Sequence, residues 1–276
     1  MCRGMDWSVR HGRVAGGRLI DLVFLENKGR YMKAIVLAAG FGTRLRPLTD
    51  NTAKPLIDVA GRPIIDHIID KIETLSEVDE IVVVCNERFA ADFETWRAAQ
   101  KRSKPIRLLN DGTTCNEDRR GAVGDIAFAL DHMSGDPDVL VVGGDNIFAF
   151  DLEPLLVSYR EYGNSIAVRD VKNIGLARLY ATVERTPEGR VTAMIEKPDS
   201  PTTTMVSVCI YVYGTSIRTR VREYAEAGHG MDTTGEFASW LCTVEPVYGC
   251  LLEGTWFDIG DMESLEKARQ AFGRPG

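Results

Sequence analysis

The fold is decided by the stretch MKAIVLAAGFGTRLRPLT, residues 32–49. Its first half is an apolar run at residues 34–38, and its second half is a turn that contains Gly40 and Gly42. A strand that is apolar on both faces is typical of a parallel sheet covered by helices on both sides. Such sheets bind ligands at the carboxyl ends of their strands. The stretch therefore predicts an α/β fold and places the glycine-rich turn where such a fold binds ligands.

The rest of the chain extends this pattern. Strands and helices alternate up to about residue 163, and strand-like runs then dominate, with a hairpin turn at residues 187–189. The predicted helices are 63–75, 122–133, 152–162, 217–227, 235–241 and 262–271, and the predicted strands are 81–85, 106–109, 139–142, 165–171, 177–184, 191–195, 205–213 and 247–252. No repeat or low-complexity linker separates the two halves. We predict a three-layer, Rossmann-like α/β fold whose mixed, mainly parallel sheet is flanked by helices.

Composition narrows the function. The 276 residues carry a net charge of −7, which argues against a general nucleic-acid binder, because such proteins neutralise phosphates with Lys and Arg. No apolar run reaches the ~20 residues that a membrane span needs. The six cysteines form no CxxC pair and are typical of reduced cytoplasmic thiols, so no zinc site is predicted. A cytoplasmic protein that acts on small molecules is the expectation.

The glycine-rich turn allows three interpretations. A Walker P-loop needs GxxxxGK[ST], which is absent, and a dinucleotide fingerprint needs a third glycine where Leu45 stands. A plain tight turn is the remaining alternative. However, Arg44 and Arg46 follow at once, and Lys54 comes shortly after. Glycines let backbone N–H groups approach phosphate oxygens, and the cationic side chains supply charge, so the cluster suits a nucleotide.

The motifs GFGTRLRPLT (residues 40–49) and KPLIDVAGRPIIDHIID (residues 54–70) closely resemble those of the sugar-1-phosphate nucleotidylyltransferases, the family that includes glucose-1-phosphate thymidylyltransferases. These enzymes join a nucleoside triphosphate to a sugar 1-phosphate and release pyrophosphate. The resemblance implies a fold of the nucleotide-diphospho-sugar transferase type over residues 32–276. It also implies a nucleotide-binding half at 32–163 and a sugar-phosphate-binding half at 164–276. Residues 1–31 are predicted to be an N-terminal extension, disordered or peripheral.

The same resemblance implies roles for residues of the turn. The loop would wrap the triphosphate through Ala39, Gly40, Gly42 and Thr43, and Arg44 and Lys54 would act as catalytic phosphate-binding cations.

Two aspartates stand at motif ends. Asp145 ends the run VLVVGGD, and Asp258 lies in GTWFDIGD; by itself the first is equally well a cap or turn residue, and the neighbouring Asp261 reads as a helix N-cap. The resemblance implies that Asp145 and Asp258 are ligands of Mg²⁺. That ion prefers hard oxygen ligands and keeps several waters, so two carboxylates and phosphate oxygens suffice.

The acceptor side is implied by Glu196-Lys197-Pro198, which in isolation is only a charged turn. By resemblance, Glu196 holds sugar hydroxyls, Lys197 holds the sugar phosphate, and the Tyr180-Ala181 backbone lies alongside. The family usually has glycine at the position of Ala181, so a methyl group is expected to crowd the sugar pocket.

The base is less well defined by the sequence. Asn110 and Gly121 match family positions near the base, but a second family glutamine is missing. Residues 116–120 are equally well a solvated loop. We therefore expect dTTP, or UTP, CTP or GTP in its place.

The function expected from the sequence is a Mg²⁺-dependent nucleotidylyltransferase whose partners are a nucleoside triphosphate and a sugar 1-phosphate, without nucleic acid or membrane. A homo-oligomer is compatible with the sequence. Two alternatives stay open: a cytidylyltransferase acting on a phospho- or phosphonate acceptor that is not a sugar, and a catalytically silent nucleotide-sensing subunit.

Overall fold

The structure is a computed structural model that describes residues 32–273. The predicted N-terminal extension, residues 1–31, lies outside the described residues, as do residues 274–276. Within the described range, no helix has both the length and the apolar character that a membrane span needs.

Nine strands form one central sheet in the described part of the chain. Its order is β10-β9-β11-β6-β1-β4-β5, with β8 paired to β11 and β12 paired to β8. The strands of the protein are β1 Met32–Leu37, β2 Asp58–Val59, β3 Arg62–Pro63, β4 Val78–Cys85, β5 Ile106–Asn110, β6 Asp138–Gly143, β7 Asn146–Phe148, β8 Ser165–Asp170, β9 Thr182–Arg185, β10 Val191–Ile195, β11 Met205–Tyr213, β12 Tyr248–Leu251 and β13 Trp256–Asp258. β1 runs parallel to β4 and β6, while β11 is antiparallel to β6 and β8. The sheet is therefore mixed, and strands of both predicted halves lie in it.

Helices cover both faces of this sheet. They are α1 Ile64–Glu73, α2 Ala90–Ala98, α3 Ala122–Asp131, α4 Glu153–Tyr162, α5 Ile174–Ala177, α6 Ile217–Glu226, α7 Thr234–Val244 and α8 Met262–Phe272. Alternate residues of β1 enter different cores: Ala34 and Val36 pack in the core that contains α1, and Ile35 in the core that contains α3 and α7. This is the pleat of a strand buried on both sides.

The stripe of isoleucines on α1 shows why the helix forms where its spacing predicts. Its members, Ile64, Ile65, Ile68, Ile69 and Ile72, are all fully buried. Burial of each such side chain stabilises the fold by roughly 1.5–3 kcal/mol, and the polar residues between them face outward.

The strand predicted at residues 177–184 is wrong in its first half. The chain instead forms the short helix α5, because the side chain of Asn173 accepts a hydrogen bond from the Leu176 N–H (3.0 Å). A turn follows in which the Tyr180 N–H donates to the carbonyl of Ala177 (3.2 Å). The strand begins only at Thr182.

Candidate active site

A small two-stranded sheet brings the two predicted metal ligands together. β13 pairs antiparallel with β7, and this register places Asp258 opposite Asn146. The Ile259 N–H donates to the carbonyl of Asp145 (2.9 Å). Asp145 and Asp258 are therefore neighbours, although each comes from a different half of the chain.

Gly144 holds the β7–β13 strand pair against the end of β1. Its N–H donates to the carbonyl of Leu37 (2.9 Å). A Cβ at Gly144 would lie 2.5 Å from that same carbonyl oxygen, closer than a side chain can approach. A glycine is required here, and it places Asp145 beside the glycine-rich loop that follows β1.

Lys54 is bound to Asp145. Its Nζ lies 2.7 Å from Asp145 Oδ2, and the lysine is nine-tenths buried. Burial by itself would raise the pKa of Asp145, but the Lys54 ammonium outweighs it and lowers the pKa below the usual value. Asp145 is therefore an anion at neutral pH.

Asp258 has the opposite electrostatic environment. Burial raises its pKa, and the negative charge of Asp145 adds to this, so that the pKa reaches about 6. The charges of Lys54, Arg44 and Lys197 act in the other direction. All three predicted phosphate-binding cations are thus close enough to influence this carboxylate.

Arg44 and its loop adjoin the carboxylates. Gly42 adopts a left-handed conformation (φ 60°), and its carbonyl accepts a hydrogen bond from the Thr49 hydroxyl (2.8 Å). The guanidinium of Arg44 lies beside Gly260, where an added Cβ would be 3.6 Å from Nη1. Asp261, the next residue, caps helix α8 through the Ser264 N–H (2.8 Å), as predicted.

The acceptor residues lie on the other side of Asp258. Glu196 and Lys197 follow β10, with Lys197 Nζ 3.1 Å from Glu196 Oε1. The Lys197 N–H donates to the carbonyl of Tyr180 (3.1 Å), and Lys197 has a left-handed backbone (φ 43°). The Tyr180 ring packs edge-on against Trp256, 5.1 Å away between centroids.

The methyl group of Ala181 does not crowd the open cleft. Ala181 is only 4% exposed, and its Cβ faces Gly235 at the start of α7. The Ala181 methyl group therefore packs against α7 and presents almost no surface to solvent.

A cavity of about 320 Å³ extends from Asp145 toward the ends of β1 and β5. Its lining includes Ala39, Gly40 and Lys54 on one side, and Gly121 and Arg120 on the other. Gly42 and Thr43 are outside this lining. So is Asn110, whose amide donates to the carboxylate of Glu87, and whose Oδ1 accepts the Gly112 N–H (2.9 Å).

The loop at residues 116–120 borders the cavity, and its residues 117–120 are at the same time exposed to solvent. Arg120 Nε donates to the carbonyl of Asp111 (2.9 Å), and Arg119 forms an ion pair with Asp232 (3.0 Å). The two alternatives for this segment therefore both describe part of it: the loop is solvated, and it is tied to the cavity wall at two points.

Sequence reasoning missed two buried groups in the cavity wall. Asp125 and Asp111 are 6% and 3% exposed, and both line the cavity. Burial first, and then the charge of Asp111, raises the pKa of Asp125 to about 8. The helical periodicity indicates the burial of Asp125 only weakly, through its place among the apolar positions of α3.

Cys209 is a further cavity residue that sequence reasoning missed. It lies at an irregularity of β11 with a left-handed backbone (φ 53°), and its thiol faces Thr234 Oγ1 (3.4 Å). It lines the cavity beside Asp145. Burial raises the pKa of this thiol to about 12.

The carboxylate pair fits a hard divalent cation. In the described part of the chain, no three His, Cys, Asp or Glu side chains cluster as a complete metal site. Two neighbouring carboxylates, of which Asp145 raises the pKa of Asp258, are, however, a donor set that a cation would neutralise. Mg²⁺ binds through one or two carboxylates together with substrate phosphates and waters.

Comparison with known proteins gives a consistent result. Residues 33–274 match the family model described as nucleotidyl transferase. The bifunctional protein GlmU of Methanocaldococcus jannaschii is 32% identical over 229 residues, covering 83% of this chain and 51% of that protein. Mannose-1-phosphate guanylyltransferase 1 of Arabidopsis thaliana is 30% identical over 240 residues, covering 83% of this chain and 61% of the relative. The chain thus spans between about half and three fifths of the length of these relatives.

A solved structure confirms the predicted fold. It is a crystal structure from Bacillus anthracis, assigned as a glucose-1-phosphate thymidylyltransferase in complex with sucrose, and it superimposes with a TM-score of 0.78. The match covers 89% of this chain and 96% of that one, at 21% sequence identity. At this identity the likeness establishes the α/β architecture alone.

Proposed function

The chain belongs to the nucleotidyl transferase family, among the sugar-1-phosphate nucleotidyltransferases, and on this basis we propose that it joins a nucleoside triphosphate to a sugar 1-phosphate. The products are a nucleoside diphosphate sugar and pyrophosphate. One observation carries the proposal: Asp145 and Asp258 meet at the β7–β13 pair, within the electrostatic reach of Lys54, Arg44 and Lys197. Two anions surrounded by three cations suit a reaction between two phosphates.

The triphosphate is assigned to the glycine-rich loop and its cations. Gly40 lines the cavity, and nothing lies within 4 Å of the position where its Cβ would be, so the backbone there is accessible to a phosphate. Lys54 lines the same cavity, and the charge of Arg44 acts on Asp145 in the cavity wall. The charges of Arg44 and Lys54 stabilise the additional negative charge that develops on the phosphoryl oxygens in the transition state.

The acceptor is assigned to the end of β10. Lys197 is more than half exposed and binds the acceptor phosphate, while the Glu196 carboxylate accepts hydrogen bonds from sugar hydroxyls. An oxygen of the acceptor phosphate attacks the α-phosphorus, so that a new P–O bond forms. The bond between the α-phosphorus and the bridging oxygen breaks, and its electron pair leaves with pyrophosphate. Because the attacking oxygen is already anionic, no general base is needed.

Asp145 and Asp258 would hold Mg²⁺. A divalent cation there supplies Lewis-acid neutralisation of the triphosphate and of the departing pyrophosphate. Asp145 also holds the Lys54 ammonium at the cleft through their ion pair (2.7 Å).

The test is release of pyrophosphate by the full chain with Mg²⁺. dTTP, UTP, CTP and GTP are each combined with a panel of sugar 1-phosphates, phosphocholine and 2-aminoethylphosphonate. We expect release that requires both a triphosphate and a sugar 1-phosphate, and the panel identifies the base. Release only with a non-sugar acceptor would replace the proposed substrate class. Binding of triphosphate without turnover under any combination would instead indicate a silent subunit.

A further inference from the structure

The first turn of α7 contacts two residues of the assigned acceptor site, Glu196 and Ala181. Gly235, its second residue, is buried. A Cβ placed on Gly235 would lie 1.9 Å from Glu196 Oε2 and 2.9 Å from its carboxyl carbon. It would also lie 3.1 Å from the Cβ of Ala181. Even a single methyl group therefore cannot enter unless Glu196 moves.

Backbone conformation does not explain the glycine. Gly235 is not among the residues with positive φ, so an alanine could adopt its backbone geometry. Glycine in a helix costs about 1 kcal/mol relative to alanine. Helix stability alone would thus favour alanine, and the space that Glu196 occupies is the feature that requires glycine.

Helix α7 is held in place relative to Glu196, so the contact cannot be relieved by a small shift of the helix. The Ser239 hydroxyl of α7 donates to the carbonyl of Met194 (2.5 Å), two residues before Glu196. At the other end of the contact, the Ser207 N–H donates to the carbonyl of Ala181 (2.8 Å). Helix α7 and Ala181, which lie on either side of this contact, are therefore both hydrogen-bonded to the sheet.

We infer that Gly235 is a positioning residue of the acceptor site: the absence of a side chain there lets the Glu196 carboxylate rest against the first turn of α7, in the orientation that binds the acceptor. This inference rests on the proposed function. The position also suits the charge, since the N-terminal turn of a helix carries unpaired N–H groups and favours an anion. Gly235 acts through Glu196 and touches no substrate itself.

The test is the substitution Gly235→Ala, assayed in the full chain. A displaced carboxylate should raise the KM for the sugar 1-phosphate by on the order of tenfold to a hundredfold, as expected for misplacing a binding group by about 1 Å. The KM for the triphosphate should stay within twofold. The matched control is Gly230→Ala in the preceding loop, where the nearest atom to an added Cβ is 3.8 Å away and φ is not positive; it should leave both KM values unchanged.

A double substitution separates positioning from a general structural effect. In the Glu196→Ala background, Gly235→Ala should add no further increase to the sugar 1-phosphate KM, because the group that it displaces is gone. If Gly235→Ala lowers the melting temperature, the double variant should recover it for the same reason. The inference is overturned if the sugar 1-phosphate KM stays within twofold in Gly235→Ala, if both KM values rise equally, or if the penalty or the instability persists without Glu196. Wild-type turnover decides the proposed function separately, since it is measured before any variant is compared.

Discussion

Asp145 combines two contacts that make it the most consequential single residue of the site. One carboxylate oxygen accepts from Lys54 (2.7 Å), and the other accepts from the Asn146 amide (2.9 Å). Replacing it by asparagine keeps the shape and removes the charge. We expect Asp145→Asn to lower kcat by roughly 100-fold or more, as for loss of a key electrostatic group in an active site.

A matched control for this variant is Asp151→Asn. Asp151 also forms an ion pair with a lysine, Lys71 (3.0 Å), but its side chain is 77% exposed and does not line the cavity. Pyrophosphate release should be normal in Asp151→Asn. If Asp145→Asn turns over at a near-normal rate while its fold is intact, the assignment of the carboxylate pair is wrong.

Asp125 predicts a pH dependence of stability. Burial and the neighbouring Asp111 raise its pKa to about 8, from 3.8. The folded state therefore binds more protons than the unfolded state between these values, and the stability of the wild type falls as pH rises through this range. Asparagine cannot ionise. The free energy of unfolding of Asp125→Asn, relative to that of the wild type, should therefore increase by up to about 1.4 kcal/mol per pH unit between pH 4 and 8.

The measurement is urea unfolding of both proteins at pH 5 and pH 8. The difference in free energy of unfolding should be larger at pH 8, in favour of Asp125→Asn. Parallel pH profiles of the two proteins would show that Asp125 is not held protonated.

A surrounding motif is what singles out a residue in the sequence. Arg44, Lys54 and Asp145 lie in motifs of eight or more residues, and in the structure the charges of both cations lower the pKa of Asp145. Gly235 and Cys209 could not have been found in this way. Their roles depend on contacts with Glu196 and Thr234, which only the packing of α7 against the sheet creates.

At the scale of secondary structure, the β7–β13 pair is the element on which the site depends. The indole N–H of Trp256 in β13 donates to Asn146 Oδ1 (2.7 Å), and Asn146 is only 2% exposed. Trp256→Phe would leave this buried acceptor without a partner. The expected cost is about 1–3 kcal/mol of unfolding free energy, with a lower kcat because Asn146 also orients Asp145.

Trp240→Phe provides the comparison for this prediction. Trp240 packs edge-on against Tyr224 (5.3 Å between centroids), and its indole N–H donates to no other described residue. Trp240→Phe therefore measures how much stability and activity are lost with the ring volume when no hydrogen bond is removed. Equal losses of stability and activity in the two variants would contradict a special role for the Trp256–Asn146 hydrogen bond.

Most strands and helices of five or more residues follow from sequence periodicity, and the strands of two or three residues do not. The isoleucine stripe of α1 and the apolar run of β1 each satisfy a helical or a strand pattern over enough residues to be recognised. β7 and β13 have three residues each, too few for a pattern. The predicted strand at 177–184 is wrong in its first half because a local side-chain cap, Asn173, overrides strand propensity.

For the whole molecule, one sheet supports both proposed substrate sites. β1 ends at the glycine-rich loop and β6 ends just before Asp145, and β11, antiparallel to β6, extends the sheet toward Glu196 and Lys197. The alternation of strands and helices predicts this architecture. It does not predict the cavity, whose wall includes the loop at 116–120 and Asp232 from beyond α6.

This arrangement predicts stabilisation by the correct triphosphate. At 100 times its dissociation constant, a ligand adds about 2.7 kcal/mol of stability, so a clear rise in melting temperature with Mg²⁺ is expected for one triphosphate of the four. The rise should be smaller for Asp145→Asn and unchanged for Asp151→Asn. Equal shifts with all four triphosphates would contradict a cavity that discriminates the base.

The most direct test of the central claim is the stoichiometry of products. The full chain is incubated with Mg²⁺, the triphosphate that stabilises it and a sugar 1-phosphate, and the products are quantified by ³¹P NMR and mass spectrometry. We predict equimolar pyrophosphate and nucleoside diphosphate sugar, both absent when the acceptor is omitted. Inorganic phosphate in place of pyrophosphate, or pyrophosphate formed without the acceptor, would contradict transfer of a nucleotidyl group to a sugar phosphate.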